Sequence, residues 1–184
     1  ATDPMRLVAE LGLPLIVKPA REGSTIGLTK VSTVDRDEVH VAIGEAVKHD
    51  RLVLAEAFVE GRELTASILG DRALPLIRIE APGGNYDYHS KYFSNETKYH
   101  CPAGLPYAVK HAIREEALSA FRILGAAGWG RLDLILRRDG TWSFLELNTS
   151  PGMTGHSLVP MAARAAGIAF PDLCLEILRG AHVG

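Results

Sequence analysis

Two carboxylates and an amide lie in a segment that folds back on itself. Asp133 and Glu146 flank the dipeptide Asp139-Gly140, a strong signal for a two-residue hairpin turn. With that turn, residues whose numbers sum to 279 face each other, so Asp133 lies opposite Glu146 and Arg131 opposite Asn148. Side chains alternate along a strand, so these four share one face, and Leu132, Leu134, Leu145 and Leu147 share the other and pack the core. Directly opposed carboxylates repel. A hard divalent cation relieves that repulsion, because magnesium takes oxygen ligands from one or two carboxylates and from phosphates. Asn148 adds a neutral oxygen, and Arg131 a fixed fork suited to phosphate or a developing oxyanion. A solvated polar strand face, with Arg131 balancing the acids, is the other reading. A one-residue bulge would change the pairing.

Three other segments carry reactive groups. Lys18 ends an apolar run and precedes Pro19-Ala20-Arg21-Glu22-Gly23-Ser24, where a lysine and loop N–H groups could meet a phosphate. The order is neither G-x-x-x-x-G-K-[ST] nor G-x-G-x-x-G, and taken alone these residues read first as an ordinary hairpin loop. His89-Ser90-Lys91-Tyr92 has the lysine and tyrosine that a lid over a phosphate would use, or is a solvated surface loop. Thr149 to Ser157 leads into a helix with Ser157 at its N-cap, either plain capping or a seat for a carboxylate. No G-x-S-x-G and no third member of a nucleophilic triad accompany His89 or His156.

These groups need a scaffold, and strands alternate with helices along the chain in a mixed arrangement. Strands are predicted over 13–19, 52–58, 64–69, 74–80, 129–137 and 142–148. Asp35-x-x-Glu38 predicts a capping box opening a helix to about His49. Val109, Ala112, Ile113, Ala117, Ala120, Phe121 and Leu124 follow helical spacing within a helix over 106–125. Residues 81–104 form a long polar connection, and short helices over 158–166 and 171–180 close the chain.

The 184 residues carry a net charge of −2, with 47% hydrophobic and 23% charged residues, as in ordinary globular proteins. That charge offers no nucleic-acid footprint. No apolar run approaches the roughly 18 residues of a membrane-spanning helix. Cys101 and Cys174 have neither disulfide-framework nor zinc spacing, which fits a reducing cytoplasm.

The order of these signals, and their wording, resemble the D-alanine–D-alanine ligases of the ATP-grasp superfamily. VKPAREGS at 17–24, YDYHSKY at 86–92, CPAGL at 101–105, GWGRLD at 128–133 and LELNTSPGMTGHSLVPMAA at 145–163 carry the resemblance, which runs from about Leu11 to the C-terminus. It implies an α+β ATP-grasp fold of two mainly antiparallel lobes with flanking helices. Residues 1–61 would be the remainder of the central lobe and 62–184 the catalytic C-terminal lobe, with the N-terminal substrate domain absent. The implied activity is ATP-dependent joining of two D-alanines through an acyl phosphate, for peptidoglycan precursor synthesis in the bacterial cytoplasm. Relatives are often dimers.

By the same resemblance, Lys18 contacts ATP phosphates, Glu56, Phe58 and Val59 form the hinge beside adenine, and Glu63 holds the ribose. Asp133, Glu146 and Asn148 bind two Mg2+ (or Mn2+) ions, and Lys91 reaches the γ-phosphate. Arg131 and the Gly152 backbone stabilise the oxyanion, and Ser157 and Leu158 hold the second D-alanine. Ser24 and Tyr92 join in closing the lid. Ala57 departs from the lysine that many relatives place beside adenine. The missing N-terminal part implies that the isolated chain is inactive. Rival readings are a ligase taking D-lactate or D-serine second, with Tyr92 favouring an amide over the depsipeptide that D-lactate would give, another ATP-grasp carboxylate–amine ligase, and an inactive nucleotide-binding module.

Overall fold

A computed structural model describes residues 3–23, 25–80 and 97–181, which fall into two compact units dividing at Val59/Glu60. The first unit is a three-stranded antiparallel sheet, order β2-β1-β3, of β1 (Leu15–Pro19), β2 (Thr29–Val31) and β3 (Val53–Ala57). Helices α1 (Pro4–Leu11) and α2 (Arg36–Val47) complete it. Alternation along β1 buries Leu15 and Val17 against Val31 and, from α2, Val39, Ala42 and Ala46. Lys18 is thereby turned to the opposite face.

Strand β2 and both helices differ from the sequence expectation. Helix α1 was not foreseen; Pro4 at its first position and Asp3, accepting from Met5 N at 3.2 Å, are its start signals. Asp35 does cap α2, accepting from Asp37 N at 2.9 Å. Glu38 does not close a capping box. It accepts from the N–H groups of Ser32 (3.1 Å) and Thr33 (3.0 Å) and from the Thr33 hydroxyl, tying the end of β2 to the helix. The Thr33 hydroxyl, with these N–H groups, holds the Glu38 carboxyl below its ordinary range.

The second unit contains β4 (Arg62–Leu69), β5 (Arg72–Ala73), β6 (Ile77–Glu80), β7 (Lys98–His100), β8 (Trp129–Leu136) and β9 (Trp142–Asn148). Its antiparallel sheet has the order β7-β6-β4-β8-β9, with β5 paired to β4. The predicted strand over 74–80 is shortened at its start: β6 begins only at Ile77, after Pro75, which has no N–H for a ladder, and the separate two-residue β5 lies before it. Helix α3 (Tyr107–Ile123) lays Ile113, Ala117 and Phe121 on one sheet face, against Leu64, Ala66, Ile68, Leu132, Leu134 and Leu136. Helices α4 (Leu158–Ala165) and α5 (Phe170–Arg179) pack Val159, Ala162, Ala163 and Leu173 against Leu69, Leu74 and Ile77. The face opposite α3 carries Glu63, Thr65 and Ser67 on β4 beside Ile135, Asp133 and Arg131 on β8. Together the elements form the α+β fold expected from the sequence. Among the described residues no single helix is long and apolar enough to cross a membrane.

Candidate active site

The β8–β9 hairpin reaches the expected pairing by a different route. Its turn is not two residues long. Arg137 N donates to Thr141 O at 2.8 Å and Gly140 N to Arg137 O at 3.2 Å, leaving a three-residue loop with Gly140 at φ 87°. Near the turn the pairs are Leu136 with Trp142, Ile135 with Ser143 and Leu134 with Phe144, one register off the expected sum. A bulge between Leu134 and Asp133 restores it, so that Asp133 faces Glu146 and Arg131 faces Asn148. Leu145 is the extra residue. Expected in the core, it is 39% exposed, and Phe144 packs against the core instead.

The hairpin brings four side-chain heads together. Arg131 grips Asp133 with a two-pronged fork, Nε to Oδ1 at 2.8 Å and Nη2 to Oδ2 at 2.7 Å. Asn148 Nδ2 donates to Asp133 Oδ2 at 3.1 Å and to Glu146 Oε1 at 3.2 Å. Asp133 is buried, Arg131 nearly so, and Glu146 is exposed. Beneath them Thr65, fully buried on β4, donates to Leu132 O at 3.2 Å. Among the described residues no three His, Cys, Asp or Glu side chains form a metal cluster. The donor set is instead two carboxylates and an amide, all hard and all on one face. The amide bridging the two acids shows that the three heads converge on one point, which suits magnesium or manganese.

The loop after β9 places Gly152 against Ser157. A Cβ on Gly152 would stand 2.9 Å from Ser157 Oγ. Ser157 is the N-cap residue of α4, as expected, but its hydroxyl does not cap the helix. It accepts from Thr154 N at 2.9 Å and lies 2.9 Å from Thr154 Oγ1. The first N–H groups of α4 therefore keep their capacity for an acceptor from outside. Leu158 is half-buried on the α4 side of the core, and His156 is exposed.

In the first unit Lys18 Nζ pairs with Glu56 Oε2 at 2.8 Å across β1 and β3. Phe58 N donates to Pro14 O at 2.9 Å, its ring lies 3.9 Å under Lys30 Nζ, and Val59 is half-buried beside it. Glu63 is half-buried on β4, on the face that carries Asp133. Ser24, Lys91 and Tyr92 lie outside the described residues.

One positioning residue was missed. Asp50 accepts from Leu52 N (3.0 Å), Arg21 N (3.0 Å) and Arg21 Nε (3.1 Å), anchoring the chain that leaves Lys18. The Leu52 N–H first, and then Arg21, hold its carboxyl below the ordinary range. An aspartate between a helix end and a strand, bonding two residues ahead, is an Asx-turn that the sequence could have disclosed.

The family model described as D-ala D-ala ligase C-terminus matches residues 2–179. The chain belongs to the D-alanine–D-alanine ligase family. A D-alanine–D-alanine ligase of Nitrosospira multiformis is 62% identical over 95% of this chain. Among solved structures, the VanG D-Ala:D-Ser ligase from Enterococcus faecalis superposes with a TM-score of 0.83 at 32% identity over 95% of the chain. The D-alanine–D-alanine ligase from Bacillus anthracis complexed with ATP gives 0.78 at 32% identity over 94%. The chain covers 56%, 51% and 55% of these proteins respectively, so it spans about half the length of the relatives it matches. For a member of this ligase family, the ATP-grasp reading of the fold stands.

Proposed function

We propose that the chain carries the catalytic machinery of ATP-dependent ligation of two D-alanines to D-alanyl-D-alanine, a step of peptidoglycan precursor synthesis in the bacterial cytoplasm. One observation carries this beyond family membership: the convergence of Arg131, Asp133, Glu146 and Asn148 on a single sheet face.

The carboxylate of the first D-alanine attacks the γ-phosphorus of ATP, and ADP leaves. The product is an acyl phosphate. The amine of the second D-alanine then attacks the acyl carbon, the tetrahedral oxyanion collapses, and phosphate departs with one oxygen of the first carboxylate. Lys18 and Lys91 would contact the phosphates. Glu56, Phe58, Val59 and Glu63 hold the nucleoside. Arg131 and the Gly152 N–H receive the oxyanion, while Ser157 and Leu158 seat the second D-alanine. Ser24 and Tyr92 take part in lid closure. Asp133, Glu146 and Asn148 would hold two Mg2+ or Mn2+ ions, which neutralise charge on the transferred phosphoryl group.

The experiment is phosphate release with ATP and Mg2+ by this chain within a full-length ligase, comparing D-alanine, L-alanine, and D-alanine mixed with D-serine or D-lactate. Release that needs D-alanine and yields the D,D-dipeptide supports the proposal. A D-alanyl-D-serine product would favour the second reading, raised by the likeness to the D-Ala:D-Ser ligase. ATP binding without D-alanine-dependent release would overturn both.

A further inference from the structure

The fork on Asp133 raises a question of occupancy. Asp133 accepts Arg131 Nε at Oδ1 and both Arg131 Nη2 and Asn148 Nδ2 at Oδ2. A carboxylate offers about four lone-pair sites, so most are taken. A guanidinium held there also repels any divalent cation that approaches the same oxygens. Across the β4–β8 ladder, directly opposite Arg131, stands Ser67. Directly opposed residues place their side chains on one face, with Cβ atoms about 5 Å apart. Ser67 is 1% exposed, and its Oγ is the one buried side-chain polar atom without a hydrogen-bond partner among the described residues. A buried hydroxyl without a partner is costly and calls for a reason, since alanine would fit the same space without that cost.

We propose that Arg131 is the resident counter-cation of Asp133, and that Ser67 Oγ is the acceptor waiting for it. When a divalent cation takes the Asp133 carboxylate, the guanidinium swings off and donates one N–H to Ser67 while its remaining donors turn toward the substrate. Ser67 is then a positioning residue, acting through Arg131. Loading of the acids and delivery of the oxyanion donor become one coupled event, so Arg131 is available to the reaction only when the cation is in place. This rests on Asp133, Glu146 and Asn148 being cation ligands, as proposed above.

The test is Mn2+ binding without nucleotide, followed by the loss of the free-ion resonance, alongside thermal unfolding without metal. Three proteins are compared: the wild type, Arg131→Lys, which keeps the charge and loses the fork, and Ser67→Ala. Arg131→Lys should bind Mn2+ about tenfold more tightly, the scale of one charge-assisted hydrogen bond. Ser67→Ala should bind it several-fold more weakly and melt higher without metal. Unchanged Mn2+ affinity in both variants would overturn the coupling, and a Ser67→Ala protein that only melts higher would reduce Ser67 to packing. If the wild type and both variants bind no Mn2+, the cation assignment itself fails and the coupling falls with it.

Discussion

Arg131 and Asp133, two residues apart on β8, are joined by two parallel hydrogen bonds of 2.8 and 2.7 Å in a nearly buried setting. We expect the pair to be coupled in both stability and chemistry. Replacing Asp133 by Asn leaves a guanidinium with half its fork and removes a hard oxygen charge from the proposed cation site. Denaturant unfolding should show a loss of about 1–3 kcal/mol. D-alanine-dependent phosphate release should fall at least about a hundredfold.

The bulge at Leu145 separates two substitutions that the strand pattern alone would rank together. Leu134 is fully buried and Leu145 is 39% exposed. Leu134→Ala should cost about 2–5 kcal/mol in chemical denaturation. Leu145→Ser should stay within about 0.5 kcal/mol of the wild type. A large cost for Leu145→Ser would mean that the hairpin pairs without the bulge.

Gly152 and Ser157 belong to the proposed oxyanion and second D-alanine sites. A methyl group at Gly152 would meet Ser157 Oγ at 2.9 Å, so Gly152→Ala must displace the hydroxyl that Thr154 now holds. The expected result is a rise in KM for the second D-alanine of about tenfold or more, with little change in KM for ATP. Steady-state kinetics with each substrate varied in turn reads the difference.

Asp50 gives a pH signature. Its carboxyl is held below the ordinary value, chiefly by the Leu52 N–H, so the folded protein binds that proton more weakly than the unfolded chain does. The resulting stability is fully present above the unfolded value of about 3.9 and is lost as pH falls through the depressed folded value. Asp50→Asn should therefore be less stable than the wild type near pH 6, and the gap should close as pH falls through the depressed folded value. Glu38, Glu80 and Asp139, also held low, are common to both proteins and cancel in the difference.

Much of the scaffold was legible because local signals agreed with the tertiary ones. The helical spacing of Ile113, Ala117 and Phe121 and the Asp35 cap each led to an observed element. The pairing of Asp133 with Glu146 was legible too, yet for an incomplete reason. Asp139-Gly140 promised a two-residue turn, whereas Gly140 supplies the positive φ that ends a three-residue one, and a bulge compensates downstream. Two such offsets cancel in the sequence and separate only in the backbone. Helix α1, β2 and β7 escaped detection because eight-, three- and three-residue elements carry little periodicity of their own and rely on packing partners or sheet neighbours. The roles of Ser67 and the Ser157 hydroxyl depend on contacts across the fold or on rotamer choice, which residue order alone does not disclose.

The most direct measurement follows oxygen. D-alanine labelled with 18O in both carboxylate oxygens is incubated with ATP, Mg2+ and this chain within a full-length ligase, and the released phosphate is analysed by mass spectrometry. Attack of the carboxylate on the γ-phosphorus, followed by expulsion of phosphate from the acyl carbon, transfers one labelled oxygen into each phosphate formed with the dipeptide. The expected result is singly labelled phosphate in step with D-alanyl-D-alanine, abolished by Glu146→Gln. Dipeptide accompanied by unlabelled phosphate would contradict an acyl phosphate intermediate.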